Sequence, residues 1–361
     1  MTPYQEDLVQ IFQRDLPLEK LSGSKILVAG ATGLIGSALV EALMLNPGID
    51  YEVYAMGRNV ERARKRFRVF ADNPLYHFIR HDVTEPLSGE QVYDFIIHAA
   101  SGASPVDFAK RPVEVIKANI AGVANLMEYG ITHRMKRFLY VSSGEVYGEG
   151  DGRAFTEDYS GYVDSTLPRS CYPSSKRTAE TLCVSYAAEY GTDVVIARPC
   201  HIFGPYFTET DNRVFAQFIR NVLRGENIIM KSTGSQFRSW CYIADCISAL
   251  LFILLKGESS QAYNVANDTS NISIRELAEI VAEIGNRKVI IDVPGSDEVK
   301  GFNVVQKSVF RTEKIRSLGW QPKSDMRSAL SKTIETLISE GALRTIENDA
   351  EREAGRQSQA L

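Results

Sequence analysis

Short β-type segments alternate with amphipathic helical segments from residue 25 to residue 199. The strand candidates are nearly continuous apolar runs, as expected of parallel strands that helices cover on both faces. They are residues 25–30, 51–56, 76–82, 94–100, 137–143 and 193–199. Helical segments such as residues 34–45 and 112–130 separate them. This alternation predicts an α/β fold built on a Rossmann-type, doubly wound parallel sheet.

The pattern changes beyond residue 200, where helices and short strands no longer alternate regularly. Helices are predicted over residues 212–224, 244–256 and 273–284, and short strands over 227–231, 261–267 and 288–293. We therefore expect a smaller C-terminal α/β substrate lobe. The predicted division is an N-terminal extension with a short helix (1–23), a dinucleotide-binding domain (24–200, with 234–270 contributing), the substrate lobe (201–340) and a polar tail (341–361).

Composition and charge narrow the class of protein. The chain of 361 residues is 44% hydrophobic and has a formal net charge of −4, which gives no reason to expect nucleic acid or an anionic membrane as partner. Its five cysteines form no CxxC pair and no metal-ligand spacing appears, so reduced thiols and no metal are expected. The longest apolar stretch, residues 249–255, is too short to span a bilayer, and the start resembles no signal peptide. These features predict a cytoplasmic protein.

A glycine-rich turn, "GATGLIG", follows the first strand and opens the first helix of the alternation. Glycines at such a junction let the backbone approach a pyrophosphate, and the helix N-terminus supplies N–H donors. A flexible turn without a ligand is the alternative, and the position in a strand–helix unit makes it the weaker one. The cofactor-binding candidates in this turn are Gly30, Thr32, Gly33, Leu34, Ile35 and Gly36.

The ends of the following strands supply further cofactor candidates. Arg58 stands where dinucleotide folds usually carry an acidic residue for the adenosine ribose, so NADP remains possible beside NAD. Alternatively, Arg58 belongs to a solvated basic helix. Small residues follow the fourth strand, where a cofactor must pass close to the backbone. The candidates at the ends of the third and fourth strands are Asp82 and Val83, expected near the adenine, and Ala99, Ala100 and Ser101.

A tyrosine and a lysine lie four residues apart in "YPSSK", on one face of a predicted helix. The phenol of a free tyrosine has a pKa of about 10, which is too high for a base at neutral pH. A neighbouring Lys176 cation and an oxidised nicotinamide would stabilise the phenolate of Tyr172 and lower that pKa. The alternative is two side chains on a helix without a chemical role.

Four stretches together resemble the extended short-chain dehydrogenase/reductase family, the NAD-dependent nucleotide-sugar epimerases, dehydratases and decarboxylases. They are "GATGLIG" (30–36), "IIHAAS" (96–101), "YVSSGEVYG" (140–148) and "YPSSK" (172–176). Three later stretches, residues 196–205, 234–246 and 318–322, are similar to C-terminal landmarks of the same family, so the likeness runs from about residue 24 to residue 335.

The resemblance implies roles for individual residues. Tyr172 would be the base that deprotonates a sugar hydroxyl, Lys176 would bind the nicotinamide ribose, and Ser143 would bond the reacting hydroxyl. It also implies NAD as cofactor, with NADP as the alternative, a nucleotide-sugar substrate and a homodimer. The further cofactor candidates are Asn119 and Pro199, and the substrate candidates are Ser143, Glu145, His201, Arg213 and Arg238, of which Arg238 would clamp the diphosphate.

The residues after Ser143 bear on the reaction. The family's 4,6-dehydratases carry an Asp–Glu pair there, whereas this chain has Gly144 and Glu145. The motif around residues 169–182 and the loop around 98–108 resemble UDP-glucuronate decarboxylases, so a decarboxylase in which Glu145 assists the second step is expected. A 4,6-dehydratase, a 4-epimerase, an NADPH-dependent 4-keto reductase and a non-catalytic dinucleotide sensor remain alternatives. Lys307 or Arg311 stands where the decarboxylases use an arginine for the substrate carboxylate, and His201 replaces their usual asparagine.

Overall fold

The computed structural model describes residues 1–46, 48, 50–207, 211–292 and 306–341. Its helices are α1 (Pro3–Gln10), α2 (Leu34–Leu45), α3 (Val60–Arg66), α4 (Pro105–Lys110), α5 (Pro112–Thr132), α6 (Cys171–Tyr190), α7 (Val214–Leu223), α8 (Ile243–Lys256), α9 (Ile274–Ile284), α10 (Glu313–Arg316) and α11 (Met326–Ser339). Its strands are β1 (Lys25–Ala29), β2 (Glu52–Gly57), β3 (Tyr76–Arg80), β4 (Phe95–His98), β5 (Arg137–Val141), β6 (Val194–Pro199), β7 (His201–Phe203), β8 (Ile228–Met230), β9 (Phe237–Tyr242), β10 (Gln261–Val265), β11 (Asn267–Ser273), β12 (Val289–Ile291) and β13 (Lys307–Ser308).

The main sheet has seven parallel strands in the order β10-β6-β5-β4-β1-β2-β3. The six predicted strands form its first part in the Rossmann order 3-2-1-4-5-6, which confirms the predicted fold class. The strand order reverses between β1 and β4, and ligands bind beyond the carboxyl ends of the strands at such a point. This edge of the sheet therefore holds the candidate site.

Alternate residues of each central strand enter two separate apolar layers. Ile26 and Val28 pack in a layer with α2 and α8, whereas Leu27 and Ala29 pack in a layer with α5 and α6. Because side chains alternate across a strand, a strand covered on both faces must be apolar at every position. This explains the continuous apolar runs in the sequence.

The second half of the chain forms two smaller sheets. One contains β11, β9 and β13, with β7 also pairing with β9, and the other pairs β12 with β8. Helices α7, α8 and α9 confirm the three predicted helices of this half. The segment predicted as a short strand near residues 261–267 supplies β10 at the edge of the main sheet, where Ala262 pairs with Ile196.

The apolar stretch at residues 249–255 lies inside α8. Every residue from Ile243 to Leu255 is buried, because α8 packs between the main sheet and the N-terminal helices. Among the described residues, no helix is long and apolar enough to cross a bilayer.

The N-terminal segment packs into the apolar core through α1. Tyr4 and Leu8 of α1 are fully buried in the same apolar layer as α2 and α8. The side chain of Thr2 accepts a hydrogen bond from the Gln5 backbone N–H, and the side-chain oxygen of Gln5 accepts one from the Thr2 backbone N–H, which forms a capping box at the start of α1. Of the predicted tail 341–361, residues 342–361 lie outside the described residues, and the division into domains stays a prediction.

A buried ion pair joins the helices that flank this layer. The guanidinium of Arg66 in α3 donates to the carboxylate of Glu41 in α2, and both side chains are at most 11% exposed. The same guanidinium lies 3.3 Å from the ring centre of Tyr206. Burial raises the pKa of Glu41, and the Arg66 cation opposes that rise. Removing the cation would leave an uncompensated carboxylate in the core.

Replacing Arg66 with alanine should therefore lower the free energy of unfolding by about 3 to 5 kcal/mol. Urea denaturation of the variant and the wild type measures this difference. Arg64→Ala is the matched control, because Arg64 lies on the same helix and pairs with Glu61 at the surface, where such a pair contributes about 0 to 1 kcal/mol. Equal losses for the two variants would contradict the assignment.

Candidate active site at the carboxyl edge of the sheet

The turn between β1 and α2 brings the backbone of two strands into close contact. Gly30 has φ +84°, and a Cβ there would lie 2.5 Å from the Ala100 nitrogen after β4. A Cβ on Gly36 would lie 2.2 Å from the Gly30 carbonyl oxygen, whereas one on Gly33 would be in ordinary contact at 3.4 Å. Gly30 thus permits the turn, Gly36 lets α2 pack on β1, and Gly33 leaves the turn open where a pyrophosphate would bind.

The helix that follows this turn begins without a side-chain cap. Gly33 is the residue before α2 and supplies no side-chain acceptor for the first N–H groups of the helix. Uncapped N–H groups and the helix dipole favour an anion at this position. Thr32, Leu34 and Ile35 form the turn and first residues of the helix, as predicted for a phosphate-binding loop.

Small and partly unsatisfied residues follow β4 along the same edge. Ala99, Ala100 and Ser101 are half-buried. The Ser101 hydroxyl and the carbonyl oxygen of Asn119 are buried without a hydrogen-bond partner among the described residues. Such orphaned groups call for a partner from outside the chain, so this edge fits a dinucleotide.

Arg58 lies beyond β2 and pairs with the carboxylate of Asp82 at 3.3 Å. Partial burial raises the pKa of Asp82, but hydrogen bonds from Thr84 and the Arg58 cation outweigh it and lower this pKa overall. Val83 is buried beside Asp82. The predicted adenosine-binding candidates thus lie together, and Arg58 already has an acidic partner.

Tyr172 and Lys176 lie in the first turns of α6, against the carboxyl end of β5. The Lys176 ammonium donates to the Val141 carbonyl at 2.8 Å and lies 5.8 Å from the ring centre of Tyr172. Burial lowers the pKa of Lys176 to about 7. Burial also raises the pKa of Tyr172 to about 12, although a hydrogen bond with Ser143 opposes this rise.

These pKa values apply to the chain without the oxidised nicotinamide that is expected to act together with Lys176 on the phenol. In the chain by itself, desolvation outweighs the neighbouring charges, so the phenol stays protonated at neutral pH. A further positive charge next to the phenol is needed to lower its pKa.

Ser143 and Glu145 follow β5 and face the same helix. The Ser143 hydroxyl accepts a hydrogen bond from the Glu145 backbone at 3.2 Å, at the start of a 3₁₀ turn over Gly144–Tyr147. One nitrogen of Arg169 donates to both Glu145 oxygens, at 2.7 and 2.9 Å. The structure therefore brings the four predicted catalytic residues together and gives Glu145 a cationic partner.

The position before Glu145 is closed by an aromatic ring. A Cβ on Gly144 would lie 2.1 Å from the Phe310 ring, which is buried in a cluster with Tyr147 and Phe155. This cluster cannot yield like the end of a flexible side chain, because Phe155 and Phe310 also share a backbone bridge. No carboxylic acid side chain fits at this position.

The three substrate candidates lie on neighbouring segments. The backbone of β7 leaves His201 exposed, although protein atoms desolvate its imidazole. The imidazole contacts the Ser239 carbonyl at 3.3 Å. Burial, with the cations of Arg238 and Arg213, lowers the pKa of His201 to about 4. Arg213 also lowers the pKa of Tyr172, so the candidates adjoin the catalytic group.

Both arginine candidates, Arg213 and Arg238, form hydrogen bonds with nearby residues of the chain. Arg213 precedes α7 and forms a forked ion pair with Asp211, with an Nε–Oδ1 distance of 2.9 Å. Arg238 is buried on β9, where burial lowers its pKa. Pro199 is buried at the end of β6, immediately before this region.

The two predicted candidates for binding a substrate carboxylate, Lys307 and Arg311, flank Phe310 in the sequence. Arg311 pairs with Glu313 at the surface, and Lys307 is exposed on β13. Within the described part of the chain, no ion pair or ring contact links either of them to Tyr172. Sequence reasoning thus missed Arg169, whose position three residues before Tyr172 was the available signal, and Phe310, for which no local signal exists.

Comparison with known proteins identifies the fold family. The family model described as "NAD dependent epimerase/dehydratase family" matches residues 26–266, more than half of the chain. The chain belongs to this family of enzymes. The NAD dependence in the family's description agrees with the glycine turn after β1 and with the buried, unpartnered polar groups of Ser101 and Asn119.

Two relatives with similar sequences align with most of this chain. UDP-glucuronic acid decarboxylase 5 of Arabidopsis thaliana is 35% identical over 310 residues, 86% of this chain and 88% of the relative. UDP-glucuronic acid decarboxylase 1 of Danio rerio is 31% identical over 88% of this chain and 73% of the relative.

Two solved structures confirm the fold. UDP-glucose 4-epimerase of Thermotoga maritima with UDP-glucose has a TM-score of 0.73 and 24% identity, over 87% of this chain and 99% of that one. dTDP-glucose 4,6-dehydratase of Bacillus anthracis with NAD has a TM-score of 0.75 and 20% identity, over 90% of this chain and 100% of that one.

The glycines of the turn should respond differently to a methyl group. Gly36→Ala should lower the free energy of unfolding of the cofactor-free protein by about 1 to 3 kcal/mol, because its Cβ meets the backbone of Gly30. Gly33→Ala should change it by less than about 0.5 kcal/mol but weaken NAD binding. Denaturation and calorimetric titration measure the two effects. Loss of binding without loss of stability in Gly36→Ala would contradict the packing role.

The titration of Lys176 should appear in stability. The unfolded chain keeps this proton up to a pKa of about 10.5 whereas the folded chain releases it near 7, so the free energy of unfolding should rise with pH in that window. Relative to Lys176→Met, the cofactor-free wild type should gain about 1 kcal/mol per pH unit between about pH 7 and about pH 9. Urea denaturation across this range measures the difference, and a difference independent of pH would mean that buried Lys176 stays protonated.

Proposed function

We propose that this family member modifies a nucleotide sugar and, specifically, decarboxylates UDP-glucuronate. The observation that carries this proposal has two parts. Glu145 lies beside Ser143 and Tyr172, and the preceding position, Gly144, is closed by the Phe310 ring. A dehydratase needs an acid at that position for the leaving hydroxyl, and Gly144 offers none. The decarboxylase relatives at 35% and 31% identity support the same reaction.

Tyr172 and Ser143 perform the first step in this proposal. They bind the C4 hydroxyl of the sugar, and Tyr172 takes its proton while Ser143 keeps the oxygen in place. Bound NAD would accept the C4 hydrogen with its electron pair, return it at the end, and supply the positive charge that lowers the pKa of Tyr172. Lys176 holds the cofactor ribose and adds to that charge.

The second step uses the C4 ketone as an electron sink. The C5–C6 bond breaks, its electron pair delocalises onto the C4 oxygen, and carbon dioxide leaves. A proton from water then adds to C5. Glu145, fixed next to Ser143, orients that water. The Tyr172 proton finally returns to the C4 oxygen, so the site ends in its starting state.

NAD is the proposed cofactor. Phosphate binding by the Gly33 turn and contacts from Ala99, Ala100 and Ser101 are common to both dinucleotides. Arg58 could attract a 2′-phosphate, but its charge is already paired with Asp82. Turnover with NAD and with NADP, compared at equal concentration, tests this preference.

Product mass distinguishes the reactions. Purified protein with NAD is incubated separately with UDP-glucuronate, dTDP-glucose and UDP-glucose, and each product is weighed by mass spectrometry. Loss of carbon dioxide from UDP-glucuronate is expected. Loss of water from dTDP-glucose, or an altered sugar of unchanged mass from UDP-glucose, would contradict decarboxylation and identify dehydration or epimerisation instead.

A Tyr172→Phe variant tests whether the site is catalytic at all. Removing the base should lower the turnover rate by at least about 100-fold while the binding of NAD stays intact. Calorimetric titration with NAD is the control for folding. Full turnover in this variant would contradict the proposed chemistry.

A further inference from the structure

Arg169 occupies a position that stability does not explain. It lies in the 3₁₀ turn Pro168–Ser170, immediately before α6, and its side chain is 50% exposed. Its ion pair with Glu145 is equally open, and exposed pairs of this kind stabilise a fold by about 0 to 1 kcal/mol.

Two aromatic contacts fix the orientation of this guanidinium. Its central carbon lies 4.5 Å from the ring centre of Phe108 in α4. Phe108 in turn stacks on Tyr172, with ring centres 4.7 Å apart and an angle of 27° between the planes. Both rings are buried. The Phe108 ring therefore contacts both the guanidinium and the phenol ring, and Arg169 keeps a defined position relative to the proposed base.

The Arg169 guanidinium has N–H groups that Glu145 does not use. Both hydrogen bonds to Glu145 come from the single nitrogen Nη2. Within the residues that the structure describes, Nε and Nη1 donate to no group. A guanidinium carries five N–H donors and binds a carboxylate through a fork of two. A second carboxylate can therefore accept a hydrogen bond from Nη1 or Nε while Glu145 remains in contact with Nη2.

We propose that Arg169 is the residue that selects a nucleotide sugar with a carboxylate at C6, by binding that carboxylate on the edge that Glu145 leaves open. This inference rests on the proposed function and names the group that recognises its substrate. Arg169 is preferred over Lys307 and Arg311 because its guanidinium contacts the Phe108 ring, which stacks on Tyr172, and donates to Glu145 beside Ser143.

Sharing the guanidinium also suits the departure of the carboxylate. A cation bound to one carboxylate alone would stabilise the charge that decarboxylation removes, and so oppose the reaction. When carbon dioxide leaves, Glu145 remains as the partner of Arg169, so no isolated cation is left behind. Because the Arg169 side chain is half-exposed, water also weakens its attraction for the substrate carboxylate.

Binding of two sugars that differ only at C6 tests the proposal. In the Tyr172→Phe background, which limits turnover, calorimetry with NAD present measures the Kd for UDP-glucuronate and for UDP-glucose. Arg169→Met should weaken UDP-glucuronate binding by at least about tenfold and leave UDP-glucose within about twofold. Arg169→Lys should fall between, since it keeps the charge without the fork. Arg153→Met, an exposed arginine paired with Asp151, is the matched control.

The outcomes separate this inference from the proposed function. Equal weakening of both sugars, or of neither, would overturn the role of Arg169. If wild-type protein releases carbon dioxide while Arg169→Met keeps its preference for UDP-glucuronate, the inference fails alone. If the preference depends on Arg169 but the wild type releases no carbon dioxide, only the proposed reaction fails. A wild type without any preference would overturn both.

Discussion

The hydrogen bond from the Lys176 ammonium to the Val141 carbonyl ties the catalytic helix to the sheet. It holds the start of α6 against the carboxyl end of β5, and so places Tyr172 beside Ser143. Lys176 is 2% exposed, and this hydrogen bond gives a partner to an amine that would be costly to bury without one. The rest of the site is arranged around this contact, since the aromatic stack and the Glu145 turn both pack against the same end of α6.

Burial gives this site its dependence on ligands. It raises the pKa of Tyr172 to about 12 and lowers that of Lys176 to about 7, so both groups tend to be neutral in the chain alone. A cationic cofactor reverses this tendency for the phenol. Tyr172 would therefore become a base only when the cofactor binds, and the site without cofactor would have no base for the reaction.

Local patterns predicted most of the fold and half of the site. The apolar runs of the main sheet identify its strands because both faces are covered, and the glycine turn and the Tyr172–Lys176 spacing are short-range features. The segment of β10 could be predicted as a strand, but its place at the edge of the main sheet follows only from its pairing with β6, where Ala262 lies opposite Ile196. The ring of Phe310 over Gly144 joins segments far apart in sequence, and a glycine does not reveal what fills the space above it. Arg169 lies within the motif before Tyr172, but its contact with Phe108 and its ion pair with Glu145 join segments that only the fold brings together.

Turnover in deuterium oxide tests most directly whether Tyr172 and its neighbours form a site for decarboxylation through a C4 ketone. With UDP-glucuronate as substrate, nuclear magnetic resonance of the product should show deuterium at C5, where water supplies the proton. The C4 position should carry only its original hydrogen. Deuterium at C4, or a decarboxylated product without deuterium at C5, would contradict this chemistry.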